Sequence, residues 1–88
     1  MAVTKTIAAA IKRTIRAQLS GLKIADIKIM EDVDFYGNDI FRIIVIYDSE
    51  IGGPDPNKAI GMVRHTRSAV GNRTNSFPLI SYVSRLEA

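Results

Sequence analysis

The run of nine residues from Ile40 to Asp48 constrains the fold more than any other part of this sequence. Seven of the nine residues are apolar, and most are β-branched or aromatic. Successive side chains of a strand point to opposite faces of a sheet, and here both sets are apolar. The odd set is Phe41, Ile43, Val45 and Tyr47, and the even set includes Ile40, Ile44 and Ile46. This pattern predicts a central strand that needs cover on both of its faces.

The length of the chain, 88 residues, predicts a single domain that spans residues 1–88. A domain of this size buries roughly 60% of the surface of its unfolded chain, so its core is thin. The sequence contains no cysteine, which excludes a disulfide framework and a thiolate zinc site. The first apolar run, residues 7–11, is too short for a signal peptide, and no stretch approaches the ~20 apolar residues of a membrane span. We therefore expect a soluble, cytoplasmic protein.

The segments around the central strand alternate between helical and extended patterns. Apolar residues recur every four positions from Ile7 to Leu19, which predicts an amphipathic helix that ends at Gly21. Residues 24–30 alternate as in a half-covered strand, and residues 31–39 are rich in turn-forming Asp, Asn and Gly. A second helix follows from Asp55 to Gly71, and residues 78–86 form the last strand.

This order predicts an α+β fold, a two-layer sandwich with the order α-β-β-α-β. The first two strands pair as an antiparallel hairpin, and the helical crossover places the third strand parallel to the second. The three-stranded mixed sheet then has the order 1-2-3, and both helices cover one face of it. The other face would present Arg42, Ile44 and Ile46, flanked by Lys28 and Met30.

The uncovered face is the basis of our first functional hypothesis. Apolar side chains on an exposed sheet face are costly in water, and such patches usually mark interfaces. We therefore expect an interface at Met30, Arg42, Ile44 and Ile46, and a small non-enzymatic adapter or regulatory module that forms a homo-oligomer or binds a protein partner. The alternative is that long neighbouring side chains shield this face.

The distribution of charge supports a second hypothesis. Residues 1–25 carry five bases and no acid, whereas residues 26–50 carry seven acids and two bases. A one-sided basic helix can lie along a nucleic acid backbone. The alternative function is therefore RNA or ribosome binding, and the residues expected to carry it are Lys5, Lys12, Arg13 and Arg16 on the first helix with Arg64 and Arg67 on the second.

The sequence shows no set of residues that would carry out a reaction. The turn begins like a calcium-binding EF-hand loop with Asp32, Asp34 and Gly37, but Tyr36 and Ile43 stand where oxygen ligands are required. The single histidine has no nucleophile beside it in the sequence. We expect no enzyme, no catalytic residue, no metal, no cofactor and no small-molecule substrate.

The chain resembles the N-terminal domain of the ribosome maturation factor RimP, which has the same α-β-β-α-β order. In that family the second strand ends in Ile-Asp and the last strand reads roughly Tyr-x-Leu-Glu-Val-Ser-Ser-Pro-Gly. The comparable pieces here are Ile46-Tyr47-Asp48 and residues 80–85, without the Ser-Pro-Gly and without the second domain of RimP. The resemblance implies the same fold and a ribosomal partner.

The order of elements is also similar to the type II KH fold, which has one further helix. The Gly-x-x-Gly loop with which KH domains clamp RNA is absent, because Gly61 and Gly71 are too far apart. The chain is similar as well to small bacterial proteins, a resemblance that implies no particular activity.

Overall fold

The computed structural model describes residues 5–48, 53–71 and 76–86, and they form an α+β fold. These described residues contain three helices and three strands. They are α1 (Lys5–Gln18), β1 (Ile24–Val33), β2 (Asp39–Tyr47), α2 (Pro56–Ile60), α3 (Met62–Val70) and β3 (Phe77–Ser84).

The strands form one mixed sheet in the order β1-β2-β3, as the sequence predicted. β1 and β2 pair antiparallel, with Ile29 opposite Ile43, and β2 and β3 pair parallel, with Ile43 opposite Ile80. The apolar run at residues 40–48 therefore supplies the central strand. The parallel pair requires a long crossover, which α2 and α3 provide.

The core lies between one face of this sheet and the helices. The buried cluster joins Ile11 and Ile15 of α1, Met62 of α3 and the odd positions of β2, among them Ile43 and Val45. Both helical segments therefore cover the same face of the sheet, as expected from a stripe of apolar residues on each helix. The opposite face, which we call the uncovered face, receives no helix among the described residues.

The second helix differs from the prediction because it is divided at Gly61 into α2 and α3. Its start is as expected: the side chain of Asp55 accepts a hydrogen bond of 2.9 Å from the N–H of Asn57, and Pro56 is the first helical residue. Gly61 keeps a right-handed backbone (φ −82°, ψ −5°), so the chain bends little there. Glycine has a low helix propensity, which explains why the division falls at this residue.

The β1–β2 hairpin is longer than predicted, because β1 continues to Val33, which lies opposite Asp39. Residues 31–33, expected in the turn, are therefore in the strand, and the turn is confined to residues 34–38. The guanidinium of Arg42 donates a hydrogen bond to the carboxylate of Asp32 across the two strands. This cross-strand contact supports the additional strand residues, and the local sequence gives no sign of it.

Candidate nucleic-acid interface

The outer face of α1 is exposed because the inner face packs against the core, and the charged residues on this exposed face are all basic. Ile7, Ile11 and Ile15 are buried at intervals of four residues, which leaves the opposite side of the helix to solvent. All four bases that the sequence placed on this side are exposed, namely Lys5, Lys12, Arg13 and Arg16. The amphipathic pattern thus positions a row of cations along the outside of α1.

The third helix packs against α1 and extends the same surface. Arg64 and Arg67 are exposed, as the sequence predicted, and Lys58 of α2 is exposed as well. The guanidinium carbon of Arg67 lies 5.3 Å from the centre of the Phe77 ring, a cation–π contact that orients this side chain. We call the exposed bases of the three helices the basic layer: Lys5, Lys12, Arg13, Arg16, Lys58, Arg64 and Arg67.

The positive charges of the basic layer are not neutralised by acidic residues on the same helices. The described parts of α1, α2 and α3 contain no acidic residue. The two ion pairs among the described residues lie elsewhere: Lys23 with Asp48, at 3.7 Å, and Arg42 with Asp32. Seven cations therefore face solvent with no carboxylate partner in the described chain, which creates a positive potential over the helices.

A structural explanation accounts for only part of this pattern. Arg16 lies in the last turn of α1 and Arg67 in the last turn of α3, where a cation interacts favourably with the helix dipole. Lys5 lies at the first turn of α1, where a cation is unfavourable, and Arg64 lies in the first turn of α3. Helix stability would favour acids at those two positions, so it does not explain a layer that consists of bases alone.

The uncovered face of the sheet is less exposed than the sequence suggested. Of the four residues expected at an interface, Met30 is 46% exposed and Arg42 is exposed, but Ile44 is half-buried and Ile46 is only 8% exposed. The register places Ile46 on this face, as expected, but it is almost fully buried and would add little surface to an interface. Ile46 lies between Asp26 of β1 and Val83 of β3 in the register, and no helix among the described residues covers it.

Two exposed apolar residues of β3 were missing from the predicted interface. Phe77 and Leu79 are 42% and 41% exposed, and the parallel register places Leu79 beside Arg42 on the uncovered face. The alternation of apolar residues in β3 could have identified them, because the register to the central strand decides which of them share a face with Arg42.

The acids of the hairpin, which resemble the start of a calcium loop, have other partners. Asp34 accepts hydrogen bonds from the backbone N–H groups of Tyr36 and Asn38, each at 2.9 Å. These bonds lower the pKa of Asp34, and the bond from the N–H of Asn38 has the largest effect. The hydrogen bond from Arg42 lowers the pKa of Asp32. The described residues contain no group of three potential metal ligands. The side chains therefore form a turn and a cross-strand pair.

Nothing else in the described chain gathers reactive groups. His65 is half-buried, with its ring beside Gly61. A cavity beneath α3, lined by residues that include Phe41, Thr66 and Pro78, has a volume of about 30 Å³, room for about one water molecule. Among the helices that the structure describes, none has the length and apolar character needed to cross a bilayer.

Comparisons with known proteins add no relatives: no family model, curated protein or solved structure matches this chain. The resemblances to the RimP N-terminal domain and to type II KH domains therefore stay predictions.

Proposed function

We propose that this protein binds the phosphate backbone of nucleic acid through the basic layer and acts as a non-enzymatic binding module. The observation that carries the proposal is the set of seven exposed cations on three helices without one acid among them. Lysine and arginine side chains bind phosphates by charge and release condensed counterions, a mode that requires no base-specific contact.

Whether binding depends on base sequence is decided by the aromatic rings that lie near the cations. The six aromatic residues of the sequence supply no ring to the helices, since all of them lie in the strands or the hairpin turn. The ring of Phe77 lies beside the basic layer, but Arg67 lies over it. Without a row of rings on which successive bases could stack, we expect binding to depend on backbone charge and shape and little on base sequence. Affinities for such binding are about 10⁻⁴–10⁻⁶ M at physiological salt.

The experiment measures binding of a short, fluorescently labelled RNA duplex by anisotropy at several salt concentrations. If about four phosphates are contacted, the logarithm of the binding constant should fall with the logarithm of salt with a slope of about −4. Arg13→Glu with Arg16→Glu should weaken binding at least about tenfold at low salt and reduce the magnitude of the slope by about 2. A DNA duplex and a single-stranded RNA of the same length then show which form of the backbone is preferred.

The matched control changes the net charge by the same amount outside the basic layer. Lys28 lies on the uncovered face and Arg85 follows β3, and both are exposed. Lys28→Glu with Arg85→Glu should retain most of the binding. Equal losses in the two double variants would mean that total charge alone determines the affinity, and the basic layer would then not be the binding surface.

A second candidate function, self-association through the uncovered face, has its own observation. Met30 of β1 and Leu79 of β3 expose more than two-fifths of their surface on the face of the sheet that no described helix covers, and Phe77, at the start of β3, is equally exposed. Sedimentation velocity over the micromolar range tests it: Leu79→Asp should weaken a dimer at least about tenfold, since a charge would be buried in the contact. Leu86, exposed beyond β3, gives the control Leu86→Asp, which should leave the dimer intact.

A further inference from the structure

The tip of the β1–β2 hairpin has a defined conformation. Its turn is closed by a hydrogen bond from the N–H of Asp34 to the carbonyl of Asn38, at 2.9 Å, and by one from Gly37 to Asp34, at 3.1 Å. The side chain of Asp34 accepts two further backbone N–H groups, and Gly37 takes a left-handed φ of 84° that suits glycine. These hydrogen bonds therefore define the backbone conformation of the two residues at the tip, Phe35 and Tyr36.

Those two residues are aromatic and exposed. Phe35 and Tyr36 are 96% and 85% exposed, and their rings meet edge to face with centroids 5.6 Å apart. No described part of the chain covers them. Aromatic side chains held in place before binding lose little conformational entropy on contact, and they are the residue types that dominate the centres of protein interfaces.

The charge around the tip restricts the partner. Residues 31–39 include four acids and no base, namely Glu31, Asp32, Asp34 and Asp39. Phosphates of nucleic acid and anionic membranes are repelled by such a surface. The complementary partner is a protein surface with cations around an apolar hollow.

The same chain carries a surface of that kind on α2 and α3. A shallow, open area on the outer face of these helices, which we call the α2–α3 hollow, is lined by Ile60, Val63, Arg64, Arg67, Ser68 and Gly71. Ile60 is 81% exposed there, an isolated apolar residue that the fold does not use, and Arg64 and Arg67 provide the cations beside it.

We propose that the hairpin tip of one copy docks into the α2–α3 hollow of a second copy. The rings of Phe35 and Tyr36 would lie against Ile60 and Val63, while the acids of the tip approach Arg64 and Arg67. The contacting surfaces differ, so the interface is heterologous, and the pair still offers the free hollow of one copy and the free tip of the other.

The size of the contact sets its strength. Two aromatic side chains bury about 150–250 Å² each, less than the ~800 Å² per partner of a standard stable interface. The association is therefore weak, with a dissociation constant in the micromolar range, and it weakens with salt because opposite charges face each other. It does not require nucleic acid, but because both contacts use Arg64 and Arg67, a nucleic acid bound over these residues should compete with it.

The experiment uses complementation in the full chain carrying Leu79→Asp, which removes any contact through the uncovered face. Phe35→Ser with Tyr36→Ser removes the tip, and Ile60→Glu with Arg64→Glu removes the hollow. Each variant alone should sediment as a monomer at concentrations where the parent associates. Mixed together they should form a one-to-one complex that grows no further, because only one intact tip and one intact hollow remain.

Two outcomes would overturn the inference: association that persists in the tip variant, or a mixture that stays monomeric. A parent that is monomeric throughout the micromolar range would also overturn it. Leu86→Ser removes an equally exposed apolar residue elsewhere and should leave association unchanged. The tip variant should bind RNA as the parent does, so a failure of this inference is distinguishable from a failure of the proposed function.

Discussion

The two faces of the sheet are built from neighbouring residues of one strand, yet they bury their side chains by different means. On the covered face, Ile43 is fully buried in the cluster formed with α1 and α3. On the uncovered face, Ile44 is half-buried and Ile46 is buried although no helix among the described residues lies above them, and both are flanked by residues of β1 and β3. Burial on the first face therefore reflects packing against helices, whereas the described neighbours on the second face are strands alone.

The largest expected change in the free energy of unfolding comes from replacing Ile43 and Ile44, adjacent residues that lie on opposite faces of the sheet. Ile43→Ala leaves a cavity among fixed helices and should lower the free energy of unfolding by about 3–5 kcal/mol. Ile44→Ala removes a side chain that solvent already reaches and should cost about 1 kcal/mol. Urea denaturation with an unchanged m-value measures both. Equal losses would show that the uncovered face is packed as tightly as the core.

A substitution at Ile46 sharpens this comparison, because Ile46 is buried on the face without a helix. Ile46→Ala should cost about 2 kcal/mol, close to the transfer free energy of the removed atoms, since neighbouring side chains can settle into the space. The same urea experiment should place it between Ile43→Ala and Ile44→Ala. A loss as large as that of Ile43→Ala would mean that some rigid element lies over Ile46.

The sequence was sufficient to predict the covered face, because each of its signals is local. The four-residue spacing from Ile7 to Leu19 and the doubly apolar β2 determined the helix face, the central strand and the order of the sheet. The exposed bases were predictable for the same reason, since the apolar stripe of an amphipathic helix defines its opposite side. The division of the second helix at Gly61 has a local cause, but glycine within a helix is often tolerated, so it could not be predicted with the same ease.

The uncovered face and the hairpin depend on distant parts of the chain, which local patterns do not report. The burial of Ile46 depends on which residues of β1 and β3 flank it, and the extension of β1 to Val33 depends on pairing with Asp39. The turn chemistry of residues 34–38 was evident from the sequence. The exposure of Phe35 and Tyr36 was not, because aromatic residues in a turn commonly fold back onto a core.

A smaller effect is expected on the covered face, where the hydroxyls of Tyr82 and Thr66 are both buried without a hydrogen-bond partner. The hydroxyl of Tyr82 is buried without a hydrogen bond. Tyr82→Phe removes this unsatisfied group and should raise the free energy of unfolding by about 1 kcal/mol. Tyr36→Phe is the matched control, since Tyr36 is exposed and its hydroxyl already meets water. Destabilisation by Tyr82→Phe in thermal or urea unfolding would reveal a hydrogen bond to this hydroxyl in solution.

The smallest expected effect is a difference between the two faces in the pKa shift of an ionisable group. On the covered face, burial raises the pKa of Tyr82 above its usual 10.0. On the uncovered face, the hydrogen bond from Arg42 lowers the pKa of Asp32 below its usual 3.8. By linkage, the stability that Tyr82 contributes is complete below pH ~10 and is lost as the pH rises through the folded pKa. The stability that Asp32 contributes is present above pH ~4 and is lost as the pH falls through its folded pKa.

Carbon-detected NMR titration of the Asp32 carboxyl group tests whether its hydrogen bond with Arg42 causes the lowered pKa. Arg42→Gln should return the pKa of Asp32 towards its usual value, because the charged donor is removed. Lys28→Gln removes a charge from the same face of β1 but no hydrogen bond to Asp32, so it should change this pKa much less. If both substitutions raised the pKa equally, the overall potential of the face would control Asp32, and the cross-strand pair would have no specific part in holding the hairpin.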